Sequence, residues 1–403
     1  MPAPTLTAPP RRTATTLGNA ALGLTQIILW GGSFFLIAVI VGPVVESTGW
    51  PQGAVIGALS LAILISGLLS PWIGTRIRQI GGRPVLIVGT LVMALGLVLM
   101  ALSPNLAVFL AAWAVMGVGM AGALYDPLFA AIGQAYGASA RSAMTQIAIA
   151  SGFAITVCWP ASSFLVAHVG WRGACLAYAA LAAFVVAPIF ALALPGGRPL
   201  AYTRTAVAPG DVAAVAKAGR LAGEGILALT FTTAAILMTA VSVELLLLLE
   251  AQGISAASAV ALSALIGPSQ VGARVIELAF GQRAHPIHLL LISAGSVALG
   301  LLLLVVAPGL AWLAILLYGA GNGMRTVVRG TLPLALYGQG EYAAVIGRLA
   351  RPPLLGQAAT PLACGYAMEV FGIGVLSSIM LAVAVLNLGL SLEVARRVNR
   401  RSP

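Results

Sequence analysis

Charged residues are scarce in this sequence. They make up 8% of its 403 residues, whereas hydrophobic residues make up 60%. Soluble domains carry about 25% charged residues, so this scarcity excludes an ordinary soluble protein. The charges that are present fall mainly in short gaps between apolar runs, and each run is long enough to cross about 30 Å of hydrocarbon as a helix. The sequence therefore predicts an all-α integral membrane protein.

Cysteine and histidine are also scarce, with three of each. Cys158, Cys175 and Cys364 lie inside apolar runs, which does not imply a disulfide framework. Two of the histidines, His285 and His288, lie three residues apart but have no carboxylate or cysteine close to them in the sequence, so we expect no metal site. No nucleotide-binding loop and no clustered catalytic His, Asp or Ser constellation occurs. We expect neither catalytic residues nor a cofactor.

The apolar runs predict twelve transmembrane helices, from about 16–45 to about 372–394. Basic residues occupy every second gap, and Arg172 is the single one assigned to the other side. Cytoplasmic loops retain Lys and Arg, so both termini are expected to be cytoplasmic in a multi-pass plasma (bacterial inner) membrane protein. The net charge of +11 then reflects topology, and we expect the lipid bilayer rather than nucleic acid as partner, with a monomeric chain.

The chain reads as two copies of one half, about 200 residues apart. Gly117 and Gly119 of the fourth helix match Gly321 and Gly323 of the tenth. We expect a six-helix bundle in residues 1–194, a cytoplasmic linker in 195–223 that is rich in Pro, Gly and basic residues, and a second six-helix bundle in 224–403.

The gap after the second helix carries a recognisable motif. It keeps Gly74, Gly81 and the basic Arg83 of the pattern G-x-x-x-D-R-x-G-R-R/K, but Arg78 stands at the Asp position. With the twelve helices and the duplication, this motif resembles the major facilitator superfamily. Further segments are similar to its monocarboxylate-transporter-like bacterial members, namely Leu124 to Pro127, Trp159 with Pro160, and Gly170 to Gly173.

The resemblance implies two pseudo-symmetric bundles around a central cavity, lined by the first, fourth, seventh and tenth helices. It also implies a secondary active transporter of a small organic anion or amphiphile, working by alternating access and coupled to protons. An efflux pump for drugs or trivalent metalloids is the alternative, and there Cys158 and Cys364 would serve as ligands. A non-transporting membrane receptor is a remote alternative.

Arg325 is the most informative charge because it lies near the bilayer centre, where a basic residue costs about 2.5 to 3.5 kcal/mol. We predict that it contacts an anionic substrate, with a structural pair to Glu277 or a carbonyl as the alternative. Further side chains on the helices of the implied cavity are candidate substrate contacts: Gln26, Trp30, Tyr125 and Asn322.

Glu244 is the one acidic residue well inside the seventh helix. A carboxyl in low dielectric can exchange a proton near neutral pH, which suits proton coupling. Glu244 also lies only six residues before Glu250, so a position in the outer interface is the alternative.

Several charges cluster at the cytoplasmic helix ends. We predict two ion pairs, Arg78 or Arg83 with Asp126 and Glu277 with Arg329, that close the cytoplasmic side, and we place Arg274 in the same latch. The alternative is that these side chains only reach towards the lipid headgroups.

Overall fold

The structure is a computed structural model that describes residues 15–195, 212–281 and 284–400. Within these ranges every regular element is helical. Long apolar sequences adopt helices in a membrane because a helix pairs its own backbone N–H and C=O groups, which hydrocarbon leaves unpaired.

The first half of the chain forms six helices, several of them interrupted. Their bounds are α1, Thr16–Trp30, a π turn at Gly31–Phe35, and Leu36–Thr48; α2, Gln52–Ile80; α3, Gly82–Ala101; α4, Leu106–Ala123 and Tyr125–Tyr136; α5, Ala140–Ser151 and then 154–169; and α6, 171–181, a π turn at Ala182–Val186, and Ala187–Ala193.

The second half also forms six helices in the described residues. Their bounds are α7, Val212–Ala251; α8, Ala256–Ser263 and Ile266–Phe280; α9, Pro286–Val306; α10, 311–337; α11, 339–371; and α12, 373–399. The helix α7 begins well before the span predicted from 224, so the last part of the predicted linker 195–223 is helical.

Three glycines divide what would otherwise be continuous helices. Gly170, Gly338 and Gly372 have φ of 70°, 70° and 75°, a left-handed conformation that only glycine adopts without strain. The apolar helices of the described residues form nine runs long enough to cross a membrane. The three glycine turns divide two of these runs into five, and this gives twelve membrane-spanning helices. The predicted fold class is confirmed.

An even number of helices puts both ends of the described chain on one side, which is called the terminal side here. The helices α2, α4, α8 and α10 end on this side, and α5 and α11 begin on it. The first apolar core cluster lies mainly in α1–α6, and two further clusters belong mainly to α7–α12.

The repeated Gly-x-Gly pairs are sites of close helix packing. A Cβ on Gly117 would lie 2.5 Å from the carbonyl oxygen of Ala62 on α2, and one on Gly323 would lie 2.4 Å from that of Gln270 on α8. Small residues let membrane helices approach closely, and this close approach is what the glycines of α4 and α10 provide.

Candidate functional site

The helix α4 breaks in the middle of the membrane because of a proline. Pro127 has no N–H to donate to the carbonyl of Ala123, four residues earlier. Leu124 adopts an extended conformation (φ −78°, ψ −164°), and the helix resumes at Tyr125. The Nε2 of Gln26 on α1 donates instead to the Ala123 carbonyl over 3.1 Å.

The break places Asp126 in the first turn of a new helix segment, where the helix dipole favours a negative charge. Its Oδ2 lies 2.6 Å from Nη2 of Arg329 on α10. Side-chain exposures of 17% for Asp126 and 27% for Arg329 show that the pair is largely buried. Asp126 is ten residues before the end of α4, about 15 Å from the terminal side along the helix.

A second ion pair joins α5 to α8. The Nη2 of Arg141 lies 3.0 Å from Oε1 of Glu277, whose side chain is 1% exposed. The hydroxyl of Thr145 donates to Oε2 of Glu277 over 2.8 Å. Arg141 also donates to the carbonyls of Gly281 and Ala284. This buried carboxylate is therefore paired and hydrogen-bonded, as a buried charge must be.

A third ion pair joins α2 to α11, with 3.2 Å between Nη1 of Arg78 and Oε2 of Glu341. Both side chains are about half exposed, at 41% and 51%. Exposed pairs contribute about 1 kcal/mol or less, so this pair stabilises the contact weakly.

Arg274 is 4% exposed and contacts neutral acceptors rather than a carboxylate. Its Nη1 donates over 2.6 Å to the carbonyl of Ala148 on α5, and its Nε donates to Gly323 on α10. The N–H of Gly152 bonds Ile149 instead of Ala148 where α5 is interrupted. Arg274 thus caps the first segment of α5 from the other half of the chain.

These contacts correct the predicted latch. Asp126 pairs with Arg329 rather than with Arg78 or Arg83, and Glu277 pairs with Arg141 rather than with Arg329. Among the described residues, no carboxylate lies within ion-pair distance of Arg83. The predicted charges do lie at one side of the molecule, but each ion pair above joins the first half to the second.

Glycines let α2 and α11 cross closely on the same side. A Cβ on Gly347 would lie 2.6 Å from the carbonyl oxygen of Ser70 and 2.9 Å from Cα of Gly74. Together with the three ion pairs, this crossing closes the gap between the two halves on the terminal side.

A cavity of about 130 Å³ borders this closure and is lined by both halves. The Asp126–Arg329 pair belongs to its wall. Of the predicted contacts, the structure places Trp30, Tyr125 and Arg325 along the cavity. Further lining residues include Phe34, Phe129, Phe231, Met238 and Gln357.

Arg325 lies one helical turn from Arg329 and faces the cavity. Its Nη1 donates to the carbonyl of Ala234 and its Nη2 lies 2.8 Å from the sulfur of Met238, both on α7. No carboxylate of the described residues lies within ion-pair distance, so Glu277 is not its partner. The guanidinium therefore presents a positive charge that no carboxylate in the described part of the chain balances.

Other predicted contacts lie away from the cavity lining. Gln26 is fully buried and donates to the carbonyl of Ala123. Asn322 is 4% exposed and packed inside the second half.

Glu244, the predicted proton-coupling residue, is also 4% exposed. It lies six residues beyond Met238 towards the side opposite the termini, and no cation of the described residues pairs with it.

The three cysteines have different neighbours. Cys158 lies against Ile27 on α1, Cys175 against Met100 on α3, and Cys364 belongs to the apolar cluster of the second half. Within the described residues, no group of three metal-binding side chains occurs.

Of the three ion pairs that join the halves, two residues were not selected as site residues in the sequence analysis, namely Arg141 and Glu341. Arg141 follows the fourth predicted helix among basic gap residues, and Glu341 lies just before the eleventh predicted helix. Their positions in the sequence therefore indicated only charges between helices. Opposite charges near helix ends on the same side of the two halves were the available signal.

The comparisons with known proteins agree with this architecture. The family model of the Major Facilitator Superfamily matches residues 22–351. The crystal structure of the human organic anion transporter MFSD10 (TETRAN) is 17% identical, with a TM-score of 0.72 over 95% of this chain and 100% of that one. No curated protein matches the sequence.

Two sugar transporters are similar in structure as well. The E. coli fucose:proton symporter FucP is 14% identical, with a TM-score of 0.69 over 96% of this chain and 99% of that one. The proton:xylose symporter XylE is 14% identical, with a TM-score of 0.68 over 94% and 95%. At these identities the likeness shows the fold, and the family model spans most of the chain. This chain is a multi-pass membrane transporter that belongs to the Major Facilitator Superfamily.

Proposed function

We propose that the chain is a secondary active transporter of a small organic anion. The observation that carries this proposal is Arg325, a cation that lines a cavity between the two halves and has no carboxylate partner in the described residues. An uncompensated charge in a low dielectric costs several kcal/mol, and an anionic substrate offsets that cost. The human organic anion transporter MFSD10 has a similar fold, which is in keeping with the proposal.

Alternating access is part of the proposal, and the way the halves meet supports it. The cavity is lined by both halves, and the ion pairs Asp126–Arg329, Arg141–Glu277 and Arg78–Glu341 close it on the terminal side. We place this side in the cytoplasm of a bacterial inner membrane, so the structure corresponds to a state closed towards the cytoplasm. Rocking of the halves around the cavity would separate these pairs and open the other route.

Proton coupling is the second part of the proposal. Glu244 is a buried carboxyl without a cationic partner in the described residues, and a charge in that setting is costly. Binding a proton removes the charge, so a carboxyl here can link proton movement to the conformational change. Two of the similar structures are proton symporters, which is in keeping with this role.

The test of the anion site uses purified protein reconstituted in liposomes, with radiolabelled acetate, lactate and benzoate as probes. Arg325→Gln should abolish uptake of whichever anions the wild type carries. Arg325→Lys should keep part of it, because an ammonium does not reproduce the bidentate fork of a guanidinium. Arg400→Gln makes the same charge change at an exposed position and should leave uptake intact.

Unchanged anion uptake by folded Arg325→Gln would contradict the assigned role. Transport of arsenite or of a lipophilic cation, with no transport of any anion, would favour the efflux alternative instead. The topology is tested separately by reporter fusions after Gly210 and Pro403, which should both report the cytoplasm.

A further inference from the structure

The first helix is shaped so that two of its aromatic side chains line the cavity. It contains a π turn at Gly31–Phe35, and such turns often occur at functional sites. A Cβ on Gly32 would lie 3.2 Å from the ring of Tyr178 on α6, so the glycine holds the turn against that helix. Trp30 and Phe34, on either side of this contact in the sequence, both line the cavity.

Four rings form a continuous surface on this side of the cavity, which is called the aromatic wall. Trp30 stacks on Phe34 with 4.4 Å between ring centroids and 25° between their planes. Trp30 lies 5.4 Å from Tyr125, which in turn lies 5.6 Å from Phe129 on α4. All four side chains line the cavity. Such a surface favours the face or edge of another aromatic ring.

The indole N–H of Trp30 is a further polar feature of this wall. Its Nε1 is buried and has no hydrogen-bond acceptor among the described residues. Buried donors in proteins are normally paired, and an unpaired one costs free energy. Because protein atoms enclose this nitrogen, a ligand in the cavity meets the ring of Trp30 rather than its N–H.

The opposite side of the cavity supplies the charge. Arg325 uses part of its five N–H donors on Ala234 and Met238, which are neutral acceptors. Arg329 also lines the cavity, but Asp126 balances its charge. The lining therefore carries one uncompensated positive charge, which a ligand with a single negative charge would neutralise.

The size of the cavity fits one ring. Its volume is about 130 Å³, and an apolar protein cavity of about 150 Å³ holds one benzene molecule. We propose that the cavity binds a single-ring aromatic monocarboxylate, with the ring against the aromatic wall and the carboxylate on Arg325. This inference rests on the proposed function, because it specifies the anion.

Four small probes separate the features of such a ligand. Benzoate has the ring and the charge, cyclohexanecarboxylate has the charge and the bulk without a π face, acetate has the charge alone, and benzamide has the ring without the charge. Dissociation constants come from the ligand-dependent rise in melting temperature of the purified full-length protein. Benzoate should bind about tenfold more tightly than acetate, with cyclohexanecarboxylate between them and benzamide not binding.

Trp30→Leu removes the central ring and should reduce the preference for benzoate over acetate to about twofold while acetate binding persists. Phe34→Leu is a second variant of the same wall and should reduce the preference in the same direction. Trp159→Leu is the matched control, because Trp159 is 50% exposed and lies outside the cavity lining.

Equal affinities for benzoate and acetate, both lost in Arg325→Gln, would overturn the aromatic assignment and leave the proposed anion transport standing. A benzoate preference that survives both Trp30→Leu and Phe34→Leu would also overturn it. Benzamide binding as tightly as benzoate, or no binding of any anion, would overturn the aromatic assignment together with the proposed function.

Discussion

Arg329 of α10 donates to Asp126 of α4 across a gap of 2.6 Å, and this contact joins the two halves of the transporter within the wall of its cavity. Asp126 lies in the first turn of the helix segment that begins at Tyr125, just after the interruption of α4 at Pro127. The pair links the cavity directly to the closure on the terminal side.

Exchanging these two charges tests whether the pair holds the closure. Asp126→Arg or Arg329→Asp alone should abolish transport, because each places two like charges at the contact. The double variant should recover much of the transport, measured as uptake into liposomes. Asp126→Asn should destabilise the protein by about 2 kcal/mol, less than for a fully buried pair because the side chains are partly exposed.

The control for this exchange is Asp126→Arg combined with Arg78→Asp, the pairing first predicted from the sequence. That combination should give no recovery, since Arg78 pairs with Glu341. Recovery there, and none in the exchange with Arg329, would mean that the functional pairing differs from the observed one.

The buried and exposed ion pairs should differ in stability when one carboxylate is neutralised. Glu277→Gln leaves Arg141 largely buried without its counter-charge and should lower the free energy of unfolding by about 3 kcal/mol or more. Glu341→Gln removes the same charge at a half-exposed pair and should cost about 1 kcal/mol or less. Melting temperatures in detergent compare the two, and equal shifts would contradict the difference in burial.

The crossing of α2 and α11 should tolerate no side chain at Gly347. Gly347→Ala places a methyl group against Ser70 and Gly74, and the shift needed to accommodate it should weaken closure on the terminal side. We expect slower transport and faster maleimide labelling of a cysteine introduced at the cavity when the reagent is added from that side. Gly365→Ala on the same helix meets open space and should have no effect.

Gln26 should prove structural. Gln26→Leu leaves the Ala123 carbonyl unpaired at the break in α4 and should destabilise the protein by about 1–3 kcal/mol, with an unchanged dissociation constant for the transported anion. Gln79→Leu, at an exposed position, is the control. Loss of anion binding at unchanged melting temperature would support the first expectation, that Gln26 contacts substrate.

Neutralising Glu244 tests proton coupling. Glu244→Gln should remove accumulation of the anion driven by a proton gradient, while exchange of labelled for unlabelled anion across the membrane continues. Glu250→Gln, an exposed glutamate at the end of the same helix, should behave as the wild type. Persistent proton-driven accumulation in folded Glu244→Gln would move the coupling to another group, with Asp126 as the next candidate.

The sequence by itself determined the helices and the family. Apolar runs of twenty or more residues have one stable form in hydrocarbon, so their number and bounds follow from composition, apart from the helix that begins at Val212 inside the predicted linker. The Gly-x-Gly pairs of α4 and α10 marked the internal repeat in the sequence, and the structure added that they are sites of close helix packing.

Only the tertiary structure decided which charges meet. Asp126, Arg78, Arg83 and Arg329 share one side of the membrane, and sequence periodicity places each on its helix without specifying the facing helix. Asp126 meets Arg329 because the fold sets α4 against α10, and no pattern along a single helix specifies that contact. Gln26 was predicted from the sequence to contact substrate, whereas in the structure its side-chain amide donates to the carbonyl of Ala123. For Arg325 the sequence was sufficient to predict a polar environment, because the residue lies deep in an apolar helix. The structure added that this environment is a cavity lined by both halves.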